Sequence, residues 1–572
     1  MSQPKSDPRG RPFVALVLLV AVFAGPAIHA QDKRADEALS SWLAQWQKGQ
    51  LDLTKPRITK SAVGVRAGYV SPEKVGETTH QEELTAICDA VVKADSAQAA
   101  DALLEVCAAG LDPGMKYVLE QRPDAVRRVG EFAIDRLHGK EAVAQIETVA
   151  KEAAKSGRAA ARRAAALRAL GRRHEDGFFA TLEAALGDKE TVVRLAACEA
   201  AQVAGIKELI RGLATLLRSE SDAGVTAAAI DAMHAILLQH KTAVAEDRLK
   251  AGVDAAVATL GKGDWRSDLA AVEFLEIARS AQSVPALIEV LARQMPATGK
   301  EDAHATGLRS GELRQRAFEV LVSLSGARFP MEDADAWRRW WDKARENFAV
   351  AEIAEKKVDG DATSTGGTFF GIPVRGSRVL FIVDTSGSML EDMRAGTTTS
   401  KDLAGKPKID AAKHELLQVV DKLTPDCAFN LVWFSNGAES WSKDMVEATP
   451  ANKKKFAKVV EGLRADGSTN LWEALQQGLK LESFAHGARY NVRYDEIFIL
   501  SDGIPTNGAI KDPKELLSIL RDSNRYSRIT INTIYIAGDP ESERKAAQFA
   551  GMSGADFMRK IAEDNGGRNV TL

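Results

Sequence analysis

The sequence predicts an all-α solenoid of paired helices followed by an α/β doubly wound domain, on three observations. Across residues 36–348, Ala and Leu recur at three- and four-residue spacing and proline is sparse. From residue 378 on, short apolar runs alternate with amphipathic stretches. Between them, residues 349–367 are small and charged. A chain of 572 residues is too long for one core, so more than one domain is expected.

In the helical part a unit recurs. It begins at Arg163 (R-A-A-A-L-R-A-L-G), Arg194 (R-L-A-A-C-E-A-A-Q-V-A-G), Val225 (V-T-A-A-A-I-D-A-M), Asp268 (D-L-A-A-V-E-F-L) and Leu313 (L-R-Q-R-A-F-E-V-L). Each unit reads as a helix with small residues on its packing face, and several precede a second amphipathic stretch, as at 206–217 and 284–291. Arg163 to Arg194 is 31 residues and Arg194 to Thr226 is 32, a period of paired-helix solenoids. Residues 31–348 resemble degenerate HEAT repeats, irregular later, where Ala271 to Ala317 takes 46. The other reading is an Ala-rich helical bundle.

On a helical wheel Arg158, Arg162, Arg168, Arg172 and Arg173 share one side and Ala164, Leu167 and Leu170 the other. The face is either a patch for an acidic partner or a solvated surface. Trp337, Trp340 and Trp341 at helical spacing are expected to close the apolar end of the repeats. Residues 349–367 read as a linker, and a cut there is expected to release a stable C-terminal domain.

Residues 378–383 form a continuous apolar run, as in a strand buried on both faces. Further strands are expected at 427–434, 496–500 and 529–536, and helices at 409–423, 453–463, 471–481, 513–525 and 556–563. Such alternation builds a mostly parallel sheet. The first strand ends in D-x-S-x-S, Asp384 to Ser388. Ligands bind at the carboxyl ends of strands in such sheets, and two further oxygen-rich loops match that position: Gly467-Ser-Thr-Asn470 and Ser501-Asp-Gly503. Capping of neighbouring helices explains each motif singly but not their convergence.

On these motifs residues 368–572 resemble a von Willebrand factor A (VWA) domain, a Rossmann-like α/β fold. The resemblance implies a metal-ion-dependent adhesion site with Asp384, Ser386, Ser388, Thr469 and Asp502 as direct or water-mediated ligands, completed by an acidic side chain of a protein partner. Hard oxygen donors suit Mg²⁺ first, with Mn²⁺ or Ca²⁺ as alternatives, and are poor for zinc. Glu391 and Asp392 are similar in spacing to the acidic pair that serves a second metal in the A-like domains of integrin β-subunits. The alternative is a solvated helix start.

Lys and Arg number 76 against 79 Asp and Glu, a balance that argues against nucleic acid as partner. No Walker A motif, G-x-S-x-G elbow or complete H-E-x-x-H is present, so no catalytic residue is assigned and no enzyme is expected. A regulatory subunit docking on an envelope enzyme or secretion complex, or less favoured a metal-assisted hydrolase, stands as the alternative. At the N-terminus Lys5, Arg9 and Arg11 precede the apolar run 13–24 and Ala30. This layout predicts a signal peptide over 1–30 with cleavage after Ala30, a mature chain without a membrane span, and a periplasmic, secreted or envelope location; an uncleaved anchor is the alternative. Of Cys88, Cys107, Cys198 and Cys427, the first two could bridge adjacent helices, or all four could be small buried hydrophobes.

Overall fold

The computed structural model describes residues 26–572 apart from 54–55, 62–73, 113, 116, 118–120, 154–155, 241–242, 263–264, 295–310, 352–366, 394–404, 480–493, 526 and 539. The basic-apolar stretch up to residue 25 and most of 349–367 therefore lie outside the described residues.

Helix α1 (Pro26–Gln47) precedes an antiparallel hairpin, β1 (Pro56–Ser61) and β2 (Lys74–Thr79), that helical spacing did not predict. The strands P-R-I-T-K-S and K-V-G-E-T-T carry one large apolar residue each, Ile58 and Val75, and so show no apolar run or alternation. The chain then folds as α2 (His80–Val92), α3 (Ala97–Cys107), α4 (Pro123–Ile134), α5 (Lys140–Lys151), α6 (Gly157–Gly171), α7 (Phe179–Leu186), α8 (Thr191–Ala204), α9 (Leu209–Leu217), α10 (Ala223–His240), α11 (Glu246–Thr259), α12 (Trp265–Ala278), α13 (Ser283–Gln294), α14 (Gly311–Ser325) and α15 (Ala334–Ala344).

Contacts run between alternate helices. α6, α8, α10, α12 and α14 stack in one layer, and α7, α9, α11, α13 and α15 in the other. The five recurring segments of the sequence are the first layer, so their period is the stacking period. Small residues are needed because the backbones approach closely: a Cβ on Gly171 would lie 2.6 Å from the Cα of Ala200. Leu167, Leu170, Leu195 and Ile230 fill the remaining space, in one apolar core that runs from Leu39 to Trp337. Trp337 ends that core fully buried, edge-on to Phe318, Phe329 and Trp340, as the spacing predicts.

The arginines of α6 and of the turn after it are paired rather than a free patch, Arg158 alone of them staying mostly in solvent. Arg158 donates to Glu105 at 2.8 Å, Arg172 to Asp135 at 2.7 Å, and Arg173 to the carbonyl of Leu137 at 3.0 Å. Arg162 pairs with Asp101 and Arg168 with Glu199. These ion pairs tie α6 to its neighbours, and the acids that receive them lie on other helices, invisible to a single wheel. The four cysteines are buried free thiols, and burial pushes the Cys88 thiol up to about 12.

The second half opens with a short hairpin, β3 (Thr368–Phe369) and β4 (Ile372–Pro373), followed by β5 (Arg378–Asp384), α16 (Lys408–Lys422), β6 (Ala428–Phe434), β7 (Ala438–Ser440), β8 (Val446–Glu447), α17 (Pro450–Gly462), α18 (Leu471–Gly478), β9 (Glu496–Ser501), α19 (Pro513–Asn524), β10 (Thr530–Tyr535), α20 (Pro540–Ala550), α21 (Gly554–Asp564) and β11 (Asn569–Thr571). The sheet order is β11-β10-β9-β5-β6-β7, with β8 also on β6. Pairing is parallel from β11 to β6 and antiparallel at the β7 and β8 edge. Every residue of β5 is buried: Val379, Phe381 and Val383 join the core on one face, Leu380 and Ile382 that on the other. Phe381→Ala is therefore a cavity mutation expected to cost about 3–5 kcal/mol.

The halves touch through charge. One side of α19 and the turn after it lie along the first helical layer and its forerunner α4. Arg122 donates to Glu515 at 2.7 Å, Arg128 to Asp522 at 3.3 Å, and Arg525 to Gln202 at 2.5 Å. Arg266 Nε donates to the carbonyl of Ser527 at 2.8 Å. Arg528, with φ 48°, forks to Glu273 at 2.5 Å and to Asp231. Severing the 349–367 stretch alone is thus not expected to part the halves, contrary to the expectation from its composition.

Candidate functional site

β5 leads to β6 on one side, while its other neighbour is the later β9. The strands stay parallel, but the order in which they join the sheet changes side between β5 and β9, and at such a switch point a parallel sheet forms its crevice at the strands' carboxyl ends. Asp384 is the last residue of β5, and Asp502 follows the last residue of β9. Asp384, Ser386, Thr469 and Asp502 are 0%, 2%, 5% and 6% exposed, and Ser388 faces solvent.

Hydrogen bonds stitch the three loops into one edge. Gly387 N–H donates to the carbonyl of Gly467 at 3.0 Å, and the N–H groups of Thr506 and Asn507 donate to the Thr469 carbonyl at 3.0 and 3.2 Å. Ser388 Oγ donates to Asp502 Oδ1 at 2.9 Å and lies 3.1 Å from Ser386 Oγ. Gly467 must be glycine: its φ is +80°, and a Cβ would come 2.6 Å from the Asn436 amide. Asn470 caps α18 by accepting from Glu473 N–H at 3.3 Å, which leaves Thr469 at the crevice. Ser386 is the N-cap of the short turn 387–390 but makes no side-chain cap bond. Capping therefore does not explain these serines.

Asp384 is held by Ser386 N–H at 2.8 Å on Oδ1 and by Ser501 Oγ at 2.6 Å on Oδ2. Ser501 is a member of the site that the motif reading passed over. So is Lys408, whose Nζ donates to Asp502 Oδ2 and to Glu391 Oε2, both at 2.8 Å. Lys408 opens a helix at the end where the dipole repels cations, one residue before the start that the sequence predicts. Glu391 is thereby committed to Lys408, and Asp392 lies on the surface, bridged through its backbone to Pro407. Among the described residues no three His, Cys, Asp or Glu side chains gather as a metal cluster.

The donor set of the first site fits a hard divalent cation: two buried carboxylates and three hydroxyls at one edge, the pattern that suits Mg²⁺, Mn²⁺ or Ca²⁺. Among the described residues nothing hydrogen-bonds the Thr469 hydroxyl, which leaves it available as a ligand. Burial, with the charge of Asp502 second, raises the Asp384 carboxyl to about 7. The raised value means that the metal-free fold keeps a proton there that the unfolded chain loses near pH 4. That proton's stabilisation is complete below the unfolded value and is lost as pH rises through about 7. A cation needs the carboxylate, so binding displaces the proton. Divalent affinity is expected to fall roughly tenfold per pH unit below 7 and to level off above it. Calorimetric titration across that range checks this; a flat profile contradicts it.

Residues 379–570 match the von Willebrand factor type A domain family. Inter-alpha-trypsin inhibitor heavy chain H4 of Homo sapiens is 28% identical over 235 residues, 39% of this chain and 22% of that protein. Heavy chain H1 of Sus scrofa is 30% identical over 149 residues, 26% of this chain and 15% of that protein. The match thus spans about a fifth or less of these relatives' length. Among solved structures, proximal thread matrix protein 1 from the mussel byssus, with a zinc-occupied MIDAS motif, aligns over 34% of this chain and 41% of that one at 18% identity and a TM-score of 0.22. The RO (RSR) protein of Deinococcus radiodurans aligns over 93% of this chain and 100% of its own at 13% identity and a TM-score of 0.19.

Proposed function

We propose that the VWA domain of this chain captures a protein partner through a divalent cation held by Asp384, Ser386, Ser388, Thr469 and Asp502, Mg²⁺ being the ion its oxygens suit best. The observation that carries this is the meeting of three sequence-distant loops in one crevice, with the Thr469 hydroxyl left unengaged. The residues would hold the ion, and the ion would supply a position that a partner carboxylate fills. Leu390, 59% exposed beside Met389 on the D-x-S-x-S turn, offers an apolar contact next to that position.

On this reading the protein is exported after removal of residues 1–30 and works in the periplasm, the envelope or outside the cell. Among the described residues no helix is long and apolar enough to cross a membrane. N-terminal sequencing of the extracytoplasmic protein is expected to start at or near Gln31; Met1 or Ser2 there contradicts cleavage. Binding itself is tested by affinity capture on the immobilised full chain with Mg²⁺ and with EDTA. A partner retained only with Mg²⁺, and lost when one of its own Asp or Glu residues is neutralised, supports the proposal. Capture indifferent to EDTA sinks it.

A further inference from the structure

Lys408 is 1% exposed, and its ammonium sits between two carboxylates, 2.8 Å from Asp502 Oδ2 and 2.8 Å from Glu391 Oε2. Three facts set it apart from an ordinary helix lysine. It occupies the first position of α16, where the helix dipole disfavours a cation. It is buried, which lysine almost never is unless paired. And its main partner is a candidate ligand whose other oxygen already accepts from Ser388. Asp502 is thus divided, with Oδ1 turned to the hydroxyl loop and Oδ2 to the ammonium.

We infer that Lys408 is a tethered counter-ion of the metal site, one that neutralises Asp502 in the metal-free chain and competes with the divalent cation for its charge. The inference rests on the metal-site reading proposed above. When ionised, Asp384, Asp502 and Glu391 bring three negative charges, and Lys408 returns one. A divalent cation then enters a site whose net charge it balances, and it does so against the field of an ammonium on the far side of Asp502. Removal of that ammonium leaves the carboxylates unopposed in the empty site and open to the metal. Lys408 therefore trades affinity for a site that stays folded without metal.

The test uses the full chain, purified free of metal, with Mn²⁺ and Mg²⁺ as probes. Lys408→Met deletes the charge at near-constant volume, and Lys408→Gln deletes it while keeping a donor for Asp502; Lys408→Arg keeps the charge. Calorimetric Kd and the melting temperature in EDTA are read for each. Lys408→Met and Lys408→Gln are expected to bind metal at least tenfold more tightly than wild type, to melt lower in EDTA, and to recover when metal is added. Lys408→Arg stays near wild type. A variant that folds only with metal present supports the inference, since it shows that the ammonium substitutes for the ion. Metal binding by the neutral variants that is unchanged or weaker than wild type overturns the counter-ion role and leaves the metal site standing. Absence of metal binding in all four proteins overturns both.

Discussion

Asp384→Ala is expected to abolish divalent binding and partner capture together. Its carboxylate is wholly buried at the end of β5, fixed by Ser386 N–H and Ser501 Oγ. A cation bound only by the native state stabilises the fold by about 2.7 kcal/mol at a hundredfold excess over its Kd, and the variant should lose that increment whole. Metal-free stability moves less. The variant sheds a carboxyl that burial disfavours as a charge, while Ser501 and Ser386 each lose an acceptor at about 1–3 kcal/mol, so the two effects oppose. Thr469→Ala should weaken capture more than folding, because it removes one hydroxyl ligand and leaves both carboxylates in place. Metal-induced shifts in melting temperature, paired with capture assays, check both variants. An Asp384→Ala protein that still shows the full shift contradicts the assignment.

Arg528→Ala has the second large effect, and it falls on the join between the halves. Arg528 is 12% exposed in its side chain and bridges Asp231 of α10 and Glu273 of α12. Its loss leaves two part-buried carboxylates facing each other, at a cost of about 3 kcal/mol. Alanine keeps a non-glycine residue at φ 48°, so the change isolates the side chain from the backbone strain. After proteolytic nicking within 349–367, the wild-type halves should still co-elute on gel filtration at low salt, and the Arg528→Ala halves should separate. Arg528→Lys should lie between, since a single ammonium cannot fork to two carboxylates as a guanidinium does. Wild-type halves that part at once on nicking contradict a stable interface.

What the sequence made legible follows from range. The apolar run of β5 and the Ala-rich stacking helices announce themselves because one pattern repeats over many residues and depends only on chain neighbours. D-x-S-x-S and Asp502 were legible because each lies where a parallel sheet must end its strands, and Thr469 because it sits in an oxygen-rich loop just ahead of a helix. Lys408 was not, because its partner Asp502 is 94 residues away. The arginines of α6 misled for the same reason, their acids sitting on other helices. The docking of α19 onto the first helical layer was hidden too, for Arg528 and Arg266 look like surface charge until Asp231, Glu273 and the Ser527 carbonyl come opposite them. The β7, β8 and β11 edge strands are two or three residues long, too short to show a period of two, and the β1–β2 hairpin, P-R-I-T-K-S and K-V-G-E-T-T, carries one large apolar residue per strand and so no apolar run.

The most direct measurement is calorimetric titration of Mg²⁺, Mn²⁺ and Ca²⁺ into the metal-free full chain above pH 7. One divalent ion per chain, bound by wild type and lost in Asp384→Ala, is the result the structure leads us to expect. No heat of binding from any of the three ions to wild type would contradict the metal site, and with it the mode of partner capture built on it.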